Sequence, residues 1–506
     1  MNLIERVPTG IVGFDHISYG GLPKNRSTLV SGPAGSGKTV FAAQFLAEGI
    51  RRYDQAGVYV TFEESPDDIR RNMEGFGWPI REWETQHKWC FLDASPVADQ
   101  TRTIIGSYDL QGLVVRIGHL IDRTQAARLA IDSVGSILSQ FPDVQLIRQE
   151  LFRIIAQLRS FGVTVLLTAE RLNDYGETIA RYGFEEFVTD NVVILRNLLD
   201  GERRRRTIEI LKYRGTQHYK GECAFSILPE VGLQVIPLAA LELKQRSSVI
   251  RISSGSTELD NMCGGGFFRD SIILTSGATG TGKTLLCTEF ISGGTARGER
   301  CLLVAFEESR EQLFRNASGW GRDYEAMEAS GLLRVICAYP ESAALEDHFM
   351  TITSAVEEYQ PGRLAFDSLS ALERISSVKG FREFVISFTA FLKEREICGL
   401  FTATTENLMG GPSITETHIS TITDSILLLR YVEAFGQMTR ALAVLKMRGS
   451  AHSKEIREFA IDSLGMHLGK ALISVTGILS GQPRQSLLGE LDHRVEATNP
   501  DSGGDT

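Results

Sequence analysis

An α/β fold, built twice along the chain, is predicted by three observations. Two GxxxxGK[ST] segments, GPAGSGKT (Gly32 to Thr39) and GATGTGKT (Gly277 to Thr284), each lie between a short apolar run and a helical pattern. Downstream of each, acidic residues end further apolar runs, and five landmarks recur in the same order in both halves. Strands alternating with helices call for two mostly parallel sheets flanked by helices, with ligand at the carboxyl ends of the strands. At 506 residues and 42% hydrophobic content the chain exceeds one ordinary core, so two domains follow from length as well.

The copies open with TGIVGFDHISYGGLP (Thr9 to Pro23) and SGSTELDNMCGGGFF (Ser254 to Phe268). LVS (Leu29 to Ser31) and ILTS (Ile273 to Ser276) lead as strands into the glycine loops, and TVFAAQFLAEGI (Thr39 to Ile50) and TLLCTEFISGG (Thr284 to Gly294) leave them as helices. VYVTFEES (Val58 to Ser65) then matches LLVAFEES (Leu302 to Ser309), and RLAIDS (Arg128 to Ser133) matches RLAFDS (Arg363 to Ser368). LKYRGTQH (Leu211 to His218) and LKMRGSAH (Leu445 to His452) close the units. Recurrence in order is the mark of a duplication. The expected divisions are an N-terminal domain at 1–236, a partly packed linker at 237–249, a C-terminal domain at 250–482 and a flexible tail at 483–506.

Each repeated motif has a chemical reason. Glycines let backbone N–H groups turn inward on phosphates, and the following helix aims its positive end at them. Lys38 and Lys283 neutralise the outer phosphates, while Thr39 and Thr284 offer a hydroxyl to magnesium. Asp132 and Asp367 end their strands where a Walker B carboxylate meets the metal. Glu63 and Glu64, with Glu307 and Glu308, follow buried strands and can polarise a water or hydroxyl nucleophile. An acid on the strand beside the P-loop strand is the arrangement of RecA-type ATPases. Lys212, Arg214, Lys446 and Arg448 lie far from the P-loops in sequence and suit cations supplied by a neighbouring subunit, as in a ring with nucleotide at its interfaces. The copies differ at one matched place. Aligning EEFVTDNVVIL (Glu185 to Leu195) with ISTITDSILLL (Ile419 to Leu429) puts Glu186 and Phe187 opposite Ser420 and Thr421, so only the second copy presents adjacent acceptor hydroxyls.

The formal net charge of -10 disfavours nucleic acid as a partner. Seven scattered cysteines without a CxxC point to reduced thiols rather than a disulfide framework or zinc site. No leader-like or membrane-length apolar stretch is present, and a cytoplasmic protein is expected.

On both P-loops, both FEES motifs, both KxRGxxH segments, CGGGFFRDSIIL (Cys263 to Leu274) and SITETHISTITD (Ser413 to Asp424), the chain resembles the KaiC family of clock ATPases and autokinases over nearly its whole length. The resemblance implies a double-ring homohexamer of RecA-like domains with ATP and Mg²⁺ between subunits, acting in circadian or related timing or stress regulation. One ring would mainly hydrolyse ATP; the other would phosphorylate Ser420 and Thr421 of its neighbour, with reverse transfer to ADP. It makes Glu63 and Glu307 the general bases, Glu307 also meeting the metal, each followed by a second acid. Gly35, Ser36, Gly37, Lys38, Thr39 and Val40 would hold the first nucleotide, met from the next subunit by Lys212, Tyr213, Arg214, Thr216 and His218. Thr279, Gly280, Thr281, Gly282, Lys283, Thr284, Leu285, Glu307 and Trp320 would hold the second, with Arg440, Lys446, Met447 and Arg448 arriving in trans. Thr415 matches a further family hydroxyl beside the phosphosites. A KaiB-type partner on the N-terminal ring is implied. The tail beyond Arg484, where a KaiA-type activator would engage, departs from the family pattern and does not carry that partner over. The competing readings are a RecA- or DnaB-like DNA-dependent ATPase, for which the basic run Arg203 to Arg206 would have to bind DNA, and an ATP-gated assembly scaffold.

Overall fold

A computed structural model describes residues 4–95, 110–138, 144–171, 180, 185–200, 203–236, 247–405, 419, 421–434, 437–473, 475–476 and 484–485. The chain divides into two compact units, Met1–Leu241 and Glu242–Thr506. Among the described residues no helix is long and apolar enough to cross a membrane.

The first unit is built on nine strands: β1 Ser27–Gly32, β2 Gly57–Thr61, β3 Trp89–Asp93, β4 Arg128–Asp132, β5 Thr164–Glu170, β6 Asn191–Asp200, β7 Arg203–Tyr213, β8 Glu222–Leu228 and β9 Gly232–Val235. They form one sheet in the order β9-β8-β7-β6-β1-β5-β4-β2-β3. The run from β6 to β3 is parallel, and antiparallel pairing begins where β6 meets β7. The second unit has β10 Ile272–Gly277, β11 Cys301–Phe306, β12 Leu333–Ala338, β13 Arg363–Asp367, β14 Cys398–Thr404, β15 Ser425–Ala434, β16 Gln437–Met447, β17 Ile456–Asp462 and β18 Gly465–Ala471. Its order, β18-β17-β16-β15-β10-β14-β13-β11-β12, reproduces the first. The two units are thus tandem RecA-like domains, as the repeat predicts.

The parallel strands are short apolar runs because helices cover both faces, as parallel sheets require. Successive residues serve opposite cores: Val30, Tyr59 and Ala130 pack with Phe41 and Phe45, while Leu29, Val58, Val60, Leu129 and Ile131 pack with Ile117, Leu151 and Leu158. Helices α1 (Lys38–Tyr53) and α2 (Lys283–Thr295) run under the sheets from the ends of β1 and β10. This sets each glycine loop at the carboxyl edge of its sheet, in line with Asp132 or Asp367 two strands away.

Candidate functional site

Gly37 and Gly282 precede α1 and α2 with φ of 92° and 104°, and no side chain caps either helix. The first-turn N–H groups therefore face the loop as donors for an anion. A Cβ at Gly37 would sit in the left-handed region and 2.7 Å from Ile227 Cδ1. Gly37→Ala is expected to destabilise the first unit by about 1–2 kcal/mol, read as earlier urea unfolding of that unit.

Lys38 Nζ donates to the carbonyls of Gly32 and Pro33, each at 2.9 Å, and Lys283 Nζ to those of Gly277 and Ala278 at 2.8 and 2.9 Å. Burial lowers both ammonium pKa values, and Asp132 or Asp367 pulls them partly back up. Each lysine is thus folded over the cradle that an outer phosphate would fill. Thr281 Oγ1 closes its loop on Ala278 O at 2.7 Å, while the Ser36 hydroxyl is buried. Val40 packs against the core and Leu285 lies within it.

In the second unit Thr284 Oγ1 donates to Asp367 Oδ2 at 2.6 Å, and Thr402 donates to Oδ1. This hydroxyl and carboxylate, beside Glu308, are hard oxygen donors that fit a Mg²⁺ ion shared with phosphates. Asp132 is held instead by Tyr59 OH, at 2.7 Å on Oδ2, and by Thr168.

The paired glutamates divide the same way in both units. Glu64 and Glu308 accept from Asn72 at 3.1 Å and Asn316 at 3.4 Å. Burial, then the neighbouring Asp132 or Asp367, raises both carboxyl pKa values. Glu63 accepts from Ser133 at 3.1 Å and from Ser136. Glu307 pairs with Arg374, with its backbone at φ 78°. A left-handed glutamate is uncommon, and such conformations cluster at functional sites.

A pocket of about 500 Å³ brings together Thr279, Gly280, Gly282, Lys283, Thr284, Leu285, Glu307, Glu308, Trp320 and Asp367. Arg440 lines it too, donating from Nε to Gly280 O at 3.3 Å. Arg440, expected to arrive in trans, thus lies beside the P-loop of its own chain. Its counterpart Arg206 donates to Gly35 O at 3.4 Å. Sequence reasoning missed Arg206 as a site residue and left it in a basic run; Arg204 in that run is tied to Asn197 O at 2.8 Å. Matching β7 to β16 by register would have found it.

The remaining cations gather at the opposite edge of each sheet. On β16, Arg440 pairs with Tyr431 near the P-loop, while Met447 pairs with Ser425, where β15 begins. Gly277 is level with Leu429 and Ile273 with Ser425, so the two ends stand about 13 Å apart at the usual strand rise. At this far edge Lys446 Nζ donates to Thr423 O and Arg448 Nη2 to Thr421 O, both at 2.7 Å. Lys212 donates likewise to Glu186 O and Thr189 O at 2.7 and 2.8 Å, and Arg214 to Phe187 O at 3.2 Å. Burial, then Arg214 or Arg448, lowers both lysine pKa values. Thr216 accepts from Arg6, and His218 lies against Tyr213, its pKa lowered first by burial. The side chains of Tyr213 and Met447 point into the cores, so a nucleotide would meet their backbones. Thr421 is exposed. Ser420 and Thr415 lie outside the described residues, as do 237–246 of the expected linker and most of the tail.

With this geometry in place, comparison with known proteins is specific. The family model described as "ATPase: KaiC" matches residues 7–240 and again 252–472. The chain is 59% identical over 489 residues to the circadian clock protein KaiC3 of Synechocystis sp., covering 97% of this chain and 96% of that protein. It is 52% identical over 505 residues to the circadian clock oscillator protein KaiC of Synechococcus elongatus, with 99% and 97% covered. To the protein of that name in Prochlorococcus marinus (strain MIT 9313) it is 54% identical over 482 residues, with 95% and 96% covered.

Proposed function

The chain belongs to the KaiC family of ATPases, and from that premise we propose that it is an ATP-hydrolysing autokinase working as a homohexameric ring. Both units bind ATP with Mg²⁺. In the first, Glu63 directs water at the γ-phosphate; in the second, Glu307 directs the hydroxyls of Ser420 and Thr421 from a neighbouring copy. Lys38 and Lys283 hold the transferring phosphate, and Lys212, Arg214, Lys446 and Arg448 stabilise its charge from the adjacent chain. A role in timing and a KaiB-type partner on the first unit belong to the same reading.

The observation that carries it is the placement of Thr421 and Arg448 together at the sheet edge opposite their own P-loop. An acceptor at the strand end about 13 Å from the P-loop of its own unit is suited to the P-loop of another chain. Incubation with γ-labelled ATP tests this. The Ser420→Ala/Thr421→Ala variant is expected to lose protein-bound label while still releasing phosphate. Undiminished label would overturn the acceptor assignment.

A further inference from the structure

The two strand-end aspartates occupy matched positions but are held by different partners. Thr168 and Thr402 donate to one oxygen of each. The second oxygen of Asp367 accepts from Thr284, the P-loop hydroxyl itself, at 2.6 Å. The second oxygen of Asp132 accepts from Tyr59 at 2.7 Å. Sheet register shows why the second unit has no equivalent. Gly57 is level with Arg128 and Cys301 with Arg363, so Leu303 stands where Tyr59 stands in the first.

Tyr59 is wholly buried, stacked on Trp89 at 6.0 Å between ring centroids and tilted against Phe91 at 5.6 Å. Its ring is wholly buried against these two aromatics of the next strand, and its hydroxyl bonds Asp132 from there. If Asp132 turned away, a buried donor would be orphaned, which is costly.

We propose that Tyr59 is a positioning residue of the first ATP site that weakens its hold on Mg²⁺ relative to the second site. Thr284 and Asp367 would hold Mg²⁺ in the second site, where the Thr284 hydroxyl would be free to turn from Asp367 to the ion, so that no donor would be orphaned. In the first site the phenol would keep its bond to Asp132 and compete with the ion's hydration shell for the same oxygen. Two ATP sites in one chain therefore differ in metal demand: the second fills at low Mg²⁺, and the first responds over a higher range. This rests on the reading of both P-loops as Mg²⁺-nucleotide sites.

The test uses the full chain with Lys283→Ala to silence the second P-loop, N-methylanthraniloyl-ADP as fluorescent probe, and a Mg²⁺ titration. Tyr59→Phe, which removes one oxygen and keeps the ring, is expected to lower the half-saturating Mg²⁺ concentration by about three- to ten-fold. Probe affinity in EDTA should be unchanged. Tyr59→Leu, which installs the residue of the second unit, should shift the Mg²⁺ curve the same way. An unchanged curve in Tyr59→Phe overturns the assignment, and so does a shift confined to Tyr59→Leu, which would report packing rather than the hydroxyl. If the first site binds no probe at any Mg²⁺ level, the ATP-site reading itself falls, and the proposal with it.

Discussion

Mixing two variants that cannot label themselves should restore protein phosphorylation that neither performs alone. One is Glu307→Gln, which keeps the acceptors and loses the base. The other is Ser420→Ala/Thr421→Ala, which keeps the base and loses the acceptors. The choice of Glu307 over Glu308 is physical. Glu308 is half buried beside Asp367, where burial raises its carboxyl pKa. The Glu307 side chain is 44% exposed and turned outward to Arg374, so a hydroxyl arriving from another chain meets it first. A base placed to take that proton contributes roughly 10²- to 10⁴-fold, and Glu307→Gln alone should lose that much labelling. In the mixture, label should appear on the Glu307→Gln chain only, which a mass tag distinguishes. No label in the mixture would refute transfer between chains, and full label on Glu307→Gln alone would refute the base.

Such transfer gives β7 and β16 a particular place. Each begins at its own P-loop, with Arg206 or Arg440 on the loop carbonyl, and ends at the far edge with Lys212 or Lys446. In a ring, one such strand would touch two nucleotides, its own through the first arginine and its neighbour's through the last cations.

The strands themselves were legible in the sequence because parallel strands buried on both faces read as unbroken apolar runs, but their order was not: the acids Glu63 and Glu307 follow β2 and β11, three places from the P-loop strands β1 and β10, rather than strands beside them. The P-loops and the aspartates were legible because their chemistry is local: the residues that act are contiguous. The nearness of Arg440 and Arg206 to the P-loops of their own units was not legible, for the opposite reason. Their partners lie across a sheet, and only the register that sets Arg440 against Tyr431 shows which loop they reach. Tyr213 and Met447 were expected at the site only through the family resemblance; strand alternation turns their side chains away from the flanking cations, into the core. Tyr59 looked like one more apolar strand residue, since the sequence does not reveal that its hydroxyl meets Asp132.

Arg128 and Arg363, the first residues of β4 and β13, also passed as ordinary strand starts, yet both are 0% exposed. Arg128 donates to Gln55 Oε1 at 2.8 Å and to the carbonyls of Phe45 and Pro8 at 2.7 Å each, and burial brings its pKa down to about 10. Arg363 donates to Glu299 Oε2 at 2.5 Å and to the carbonyls of Ser253 and Phe290 at 2.6 and 3.2 Å. Each guanidinium therefore ties the P-loop helix, through Phe45 or Phe290, to the segment that opens its unit. Arg363→Ala removes all three bonds, opens a cavity under α2 and leaves Glu299 without its partner. Loss of these charge-assisted bonds together with the cavity costs about 2–4 kcal/mol, a large share of the stability of one domain. Hydrogen exchange should show β10, β13 and α2 losing protection together while β1, β4 and α1 keep theirs, because the loss is confined to one core. Arg363→Lys should recover only part of it, since one ammonium cannot reproduce the geometry of a fork that meets three acceptors. Full protection in Arg363→Ala would mean that the guanidinium contributes nothing beyond the cost of burying its own charge.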